Sequence, residues 1–174
     1  MFLTSVSQQT KLAQLVSRVL SCRYISCTIS QGVLGAEISA VLKNVYALVF
    51  GMADELHLGD NTRGFLMVTA LDELNKIVLN MSGKAGSPYH LAGLGDLVTT
   101  ATSDDSHHHG MRRMLARGES QGMEGEGIHT LKMVVQYNLL KITDYPLFEF
   151  IYHIVLKPIN VKQQFDTYLK SQYN

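Results

Sequence analysis

The chain has 174 residues, 46% of them apolar, and its 15 lysines and arginines balance 15 aspartates and glutamates. That length and apolar share suit one sizeable core and exclude a disordered chain. A formal net charge of zero excludes a nucleic acid or anionic membrane held by bulk electrostatics.

From the N-terminus, Ser7 to Leu20 places Leu12, Leu15, Val16, Val19 and Leu20 at helical spacing with Lys11 and Arg18 outside the stripe. Arg23 to Thr28 is short and rich in β-formers, which predicts a strand. It carries Cys27, with Cys22 just before it; with no signal peptide ahead of them, the pair is expected to be reduced and cytoplasmic. Gly35 to Leu56 predicts a long helix with apolar residues on most sides, a sign of burial. Asp60-Asn61 is expected to cap a second helix reaching about Asn80. No stretch is expected to span a membrane, because Lys43-Asn44 and Asp72-Glu73 interrupt the best candidates for ~20 continuous apolar residues.

Ser82 to Pro88 reads as a loop, with Ser87 as the N-cap of the next helix and Pro88 in its first turn. Short helices are predicted at about Pro88 to Ala92, Leu94 to Thr100 and Gly110 to Arg117. Beyond a glycine-rich loop, helices are expected over Ile128 to Leu140, Leu147 to Leu156 and Val161 to Leu169. No G-x-G-x-x-G lies between a strand and a helix, so the dinucleotide-binding fingerprint is missing.

Two segments carry chemistry. Ala40 to Asn44 reads AVLKN and sets Lys43 in a very apolar stretch; Leu91 to Ser106 reads LAGLGDLVTTATSDDS. A buried ammonium is costly unless paired or deprotonated, so Lys43 is either a functional base or a lysine whose stem packs while its head reaches water. Asp96 follows two glycines and would sit in a helical first turn, where the dipole favours any carboxylate. Thr100, four residues on, shares its face. Asn44 is either a local positioning amide or an ordinary core amide.

Together these segments resemble the C-terminal domain of NAD-dependent glycerol-3-phosphate dehydrogenases. In that family a GxE-xxx-x-LKN helix carries a catalytic lysine, matched by Gly35, Glu37, Leu42, Lys43 and Asn44. An AGLGDL-x-x-T segment supplies an aspartate and a threonine, matched by Ala92 to Leu97 and Thr100. Weaker matches are Asn61 and Arg63, Glu126-Gly127, and Pro146 to Tyr152; the resemblance runs from about Lys11 to about Leu156.

The resemblance implies an all-α fold, a multi-helix domain like the C-terminal one of 6-phosphogluconate dehydrogenase, over residues 35–174. Residues 1–34 would be a helix-strand remnant of a Rossmann sheet, the chain beginning inside its last unit. Catalytic roles fall to Lys43 and Asp96, substrate binding to Asn44, Thr100, His107 and His108, and cofactor binding to Arg63 and Glu126. The cofactor is NAD or NADP, bound only with a nucleotide-binding domain that the chain is expected to lack. No metal is expected, because the neighbouring histidines of His107 to His109 cannot converge on one ion. The family's Ser-Arg-Asn-Arg is replaced after Ser106 by His107-His108-His109, exchanging a permanent bidentate cation for partly charged single donors. Another family arginine gives way to Val68-Thr69-Ala70.

The expected function is therefore the substrate-binding and catalytic half of an oxidoreductase interconverting glycerone phosphate and sn-glycerol 3-phosphate, a step in glycerol-phosphate and carbohydrate metabolism that feeds phospholipid biosynthesis. The isolated chain is expected to be inactive. Its expected partners are a small phosphate ester, the nucleotide-binding domain and, as a possible assembly, a homodimer. The alternative is a degenerate, non-catalytic module kept for interaction or dimerisation. A G-x-G-x-x-G reading frame upstream of Met1 would distinguish the two.

Overall fold

The computed structural model describes residues 1–102, 114–119 and 124–172. It opens with a strand–helix–strand unit: β1 (Phe2–Val6), α1 (Thr10–Leu20) and β2 (Ser26–Ser30). The strands pair in parallel, in register from Phe2 opposite Ser26 to Val6 opposite Ser30. Parallel neighbours require a crossover, and α1 provides it. The apolar pattern predicts α1 and the second strand but not β1, so the opening unit is one strand larger than expected. Residues Phe2–Val6 mix two hydroxyls among their apolar side chains, and so short a segment carries little periodic signal.

The helix α1 buries Ala13 and Ser17 against the strands, with the Ser17 hydroxyl donating to the Cys27 carbonyl at 2.9 Å. Its other side leaves Leu15 58% and Val19 75% exposed. Cys22 and Cys27 are free thiols.

The helical body is built on α2 (Val33–Glu55) and α3 (Gly59–Asn80). The helix α2 is long and apolar enough to cross a membrane by length and composition alone, with a mean hydropathy of 1.5. Its apolar surface is spent inside the protein instead: Val45 to Met52 are all buried, against α3 and three later helices. Those helices are α4 (Asp96–Thr102), α5 (Glu126–Gln136) and α6 (Pro146–Leu156), and α7 (Val161–Ser171) closes the described chain against α6. The Phe150 ring stacks on Tyr168 with centroids 4.4 Å apart and meets Phe165 edge-on at 4.9 Å.

Three helices close by the same device. The helices α2, α3 and α5 each end on a left-handed residue that is not glycine: His57, Ser82 and Asn138. After each, the next amide reaches back to close the last turn, as Leu58 does to Ala53, Gly83 to Val78 and Leu139 to Val134. This stops α5 at Gln136 rather than Leu140. The helix α3 starts at Gly59 with no side-chain cap, so Asp60 lies in its first turn instead of capping it.

Below the site, a buried carboxylate ties three helices together. Glu73 of α3 is 3% exposed. It accepts hydrogen bonds from the Tyr46 hydroxyl at 2.9 Å and from the Leu147 and Phe148 amides at 2.6 and 3.0 Å. The amides belong to the first turn of α6, which has no intrahelical acceptor for them. Burial pushes the Glu73 carboxyl above its ordinary value, against the pull of these donors, and raises the Tyr46 phenol as well.

Candidate active site

The loop before α4 brings the two marked segments together. Ser87–Tyr89 form a tight 3-10 turn, Leu91–Gly95 a wider single turn, and α4 begins at Asp96. The predicted helices at Pro88 to Ala92 and Leu94 to Thr100 thus resolve into two turns and a helix displaced towards Thr102. Gly93 permits this path, because a Cβ there would lie 2.1 Å from the Pro88 carbonyl oxygen. Gly35 lets the start of α2 meet the same loop, where a Cβ would fall 2.3 Å from Ser87 Cβ.

Asp96 then faces Lys43. The Lys43 Nζ donates to Asp96 Oδ2 at 2.6 Å, across 53 positions of sequence. The lysine side chain is 20% exposed and the aspartate 48%, so the pair stands at the wet edge of the core rather than inside it. Lys43 is therefore less deeply buried than its apolar neighbours in sequence suggest. Its stem packs in the body and its head is paired, which lowers the cost of holding the charge without removing it from water. Thr100 lies half-buried on α4, a turn beyond Asp96.

The neighbouring predicted residues make contacts within the chain. The Asn44 side-chain amide donates to Glu126 Oε2 at 2.9 Å. Beside it the first turn of α5 touches the α2 backbone, and a Cβ on Gly127 would lie 2.3 Å from the Asn44 carbonyl oxygen. Arg63 pairs through Nη1 with Asp54 and donates from Nη2 to the Ala101 carbonyl at 3.0 Å. His107 and His108, with the rest of residues 103–113, lie outside the described residues.

A cavity of about 480 Å³ beside Glu126 is lined also by Glu124, His129 and Lys132. A groove of about 710 Å³ between α6 and α7 contains neither Lys43 nor Asp96. Glu73, Tyr46 and Asp54 do not stand out in the sequence. A glutamate or aspartate in a helix reads as a solvated face until the opposing helices are placed.

Chemically, a paired lysine at a solvent-accessible edge can deliver a proton to, or take one from, an oxygen brought alongside it. A dinucleotide is a different matter. The sequence has no G-x-G-x-x-G turn, and the donors of Arg63 are directed at Asp54 and Ala101. The residues described do not form a cradle for its pyrophosphate.

Residues 32–166 match the family described as NAD-dependent glycerol-3-phosphate dehydrogenase C-terminus. The glycerol-3-phosphate dehydrogenase [NAD(P)+] of Deinococcus radiodurans is 37% identical over 126 residues, covering 72% of this chain and 38% of that protein. The enzyme of the same name from Bacillus cytotoxicus is 30% identical over 166 residues, covering 91% of this chain and 49% of that protein. The chain thus spans half or less of the length of these relatives. In fold it is similar to the crystal structure of glycerol-3-phosphate dehydrogenase from Coxiella burnetii, with a TM-score of 0.79, 24% identity and coverage of 94% of this chain and 53% of that one. The glycerol-3-phosphate dehydrogenase of Plasmodium falciparum gives a TM-score of 0.77 at 18% identity, over 93% of this chain and 50% of that one.

Proposed function

The chain belongs to the NAD-dependent glycerol-3-phosphate dehydrogenase family, as its C-terminal domain, and from that premise we propose that it supplies the substrate-binding and proton-transfer half of the interconversion of glycerone phosphate and sn-glycerol 3-phosphate. The observation that carries this reading is the 2.6 Å contact between Lys43 and Asp96. In the reading, residues 35–174 form the substrate domain, residues 1–34 belong to the nucleotide-binding side, and the setting is the cytoplasm.

NAD or NADP, when bound, exchanges a hydride with the substrate carbon; the residues of this chain handle the proton. In the ion-paired form the Lys43 ammonium carries the proton that an alkoxide forming at the substrate C2 oxygen takes up. In the opposite direction the neutral amine accepts that proton from the hydroxyl. Asp96 holds the amine by accepting one of its hydrogens, leaving the others to face the substrate. Thr100 offers a hydroxyl on the same face of α4. His107 and His108 stand at the family's phosphate-gripping positions, where imidazolium would offer a donor and charge that depend on pH. Asn44 and Glu126 brace each other, so in this reading they shape the pocket wall between substrate and nicotinamide.

The test is complementation. A chain carrying the nucleotide-binding domain of a relative joined ahead of β1 should reduce glycerone phosphate with NADH or NADPH, and Lys43→Met in that fusion should slow it by about 10²- to 10⁴-fold. Equal turnover in both would overturn the assignment. A second reading, a non-catalytic association module, draws on the exposed apolar side of α1, with Leu15 and Val19 open to solvent. Catalytic failure of the unsubstituted fusion, together with self-association of the chain, would favour it.

A further inference from the structure

The long helix α2 ends in Asp54 and Glu55, with no basic residue in its last turn. The helix dipole disfavours carboxylates at that end, so the two acids need partners from elsewhere. Asp54 pairs with Arg63 of α3. Glu55 Oε1 accepts from Arg117 Nε and Nη2 at 3.1 and 2.8 Å. Arg63 also donates from Nη2 to the Ala101 carbonyl at 3.0 Å, in the last turn of α4, and its guanidinium lies 5.8 Å from the centroid of the buried Phe50 ring.

The described part of α4 runs from Asp96 to Thr102. It is tied to α2 by Lys43 and Asp96 at its start, and gripped by Arg63 at Ala101. The Arg63–Asp54 pair is 25% and 44% exposed, a setting in which an ion pair adds little stability. Its effect is geometric: the guanidinium serves Asp54 and Ala101 from two nitrogens held in one rigid plane, whereas an ammonium presents its donors from one freely rotating nitrogen.

We propose that Arg63, oriented by Asp54, is a positioning residue that holds α4 at Ala101 and thereby keeps Asp96 in contact with Lys43. Arg63 acts through α4 rather than on substrate or cofactor. The inference rests on the reading of Lys43 and Asp96 as a working pair.

The experiment measures how fast a small amine-acylating ester modifies Lys43 in the full chain, by peptide mass spectrometry, with circular dichroism as a check of folding. Asp96→Asn, which breaks the pair directly, should accelerate acylation of Lys43 several-fold over the unsubstituted chain. Arg63→Met and Asp54→Asn should do the same, and Arg63→Lys should fall between. Arg63→Met combined with Asp96→Asn should be no faster than either alone, since both remove one contact. Should Arg63→Met fail to fold, Asp54→Asn, a change on the partly exposed surface, decides the matter. Rates at Lys43 unchanged in Asp54→Asn and Arg63→Met, with only a lower melting temperature, would overturn the proposal, and so would multiplicative effects in the double variant. No acceleration in Asp96→Asn would instead remove the Lys43–Asp96 pair itself, and Arg63 would have nothing to position.

Discussion

Lys43 and Asp96 lie 53 residues apart in sequence and 2.6 Å apart in space. One is borne by the longest helix of the body and the other by the first residue of one of the shortest. Their meeting depends on the tight path from Ser87 to Gly95, so activity and stability should respond differently to changes in the pair and in the loop.

In a fusion with a nucleotide-binding domain, Lys43→Met and Asp96→Asn should each lower kcat for glycerone phosphate reduction by about 10²- to 10⁴-fold, the usual range for loss of a positioned proton donor or its support. Thermal unfolding should barely move, because the pair is partly solvated. The unfused chain should show no turnover above its own Lys43→Ala variant. Steady-state NADH oxidation and differential scanning fluorimetry on the same preparations check both statements.

Glycine substitutions offer a graded test of the loop. Gly93→Ala would drive a Cβ to 2.1 Å from the Pro88 carbonyl oxygen, and Gly127→Ala to 2.3 Å from that of Asn44. Each should cost about 1–3 kcal/mol or more, because backbone must shift to admit the methyl group. Gly64→Ala, with nothing within 4 Å of its added Cβ, should instead stabilise α3 by about 0.4–1 kcal/mol. Urea unfolding of the three variants checks the order.

Glu73 links stability to pH. Its carboxyl is raised by burial above an ordinary value of 4.5, so the folded chain binds its proton more tightly than the unfolded chain does. Stability from this group is therefore fullest below that ordinary value and falls as pH climbs through the raised one. Glu73→Gln, which cannot ionise, should flatten that part of the profile. Glu73→Ala should destabilise by about 2–4 kcal/mol, since it strands the Tyr46 hydroxyl and two amides of α6. Urea midpoints measured from acid to neutral pH separate the two variants.

For the histidine run, binding of glycerol 3-phosphate should weaken as pH rises past about 6.5, where imidazoles lose their charge. His107→Arg with His108→Asn should tighten binding by about 1–3 kcal/mol and remove the pH dependence, because guanidinium stays charged. Calorimetry on both forms is the measurement, and equally weak binding at every pH would mean these positions do not grip phosphate.

The helices α1, α2 and α3 are legible from apolar spacing alone, and the motifs AVLKN and AGLGDL point to Lys43 and Asp96 without any coordinates. Periodicity works there because a long amphipathic or all-apolar stretch has few ways to hide its surface. It fails for β1, where five residues carry too little pattern, and for the end of α5, closed by Asn138 rather than glycine. It also fails for Glu73, Asp54 and Arg63. Their meaning comes from partners on other helices: Tyr46 and the start of α6 for one, the carbonyl of Ala101 for another. Local sequence reports which residues prefer a helix and which prefer to be buried. The rotation of α2 that turns Lys43 towards α4, and Tyr46 towards Glu73, was decided only when α3, α4, α5 and α6 closed around it. A helix apolar on most sides has no single inward face until its neighbours take their places.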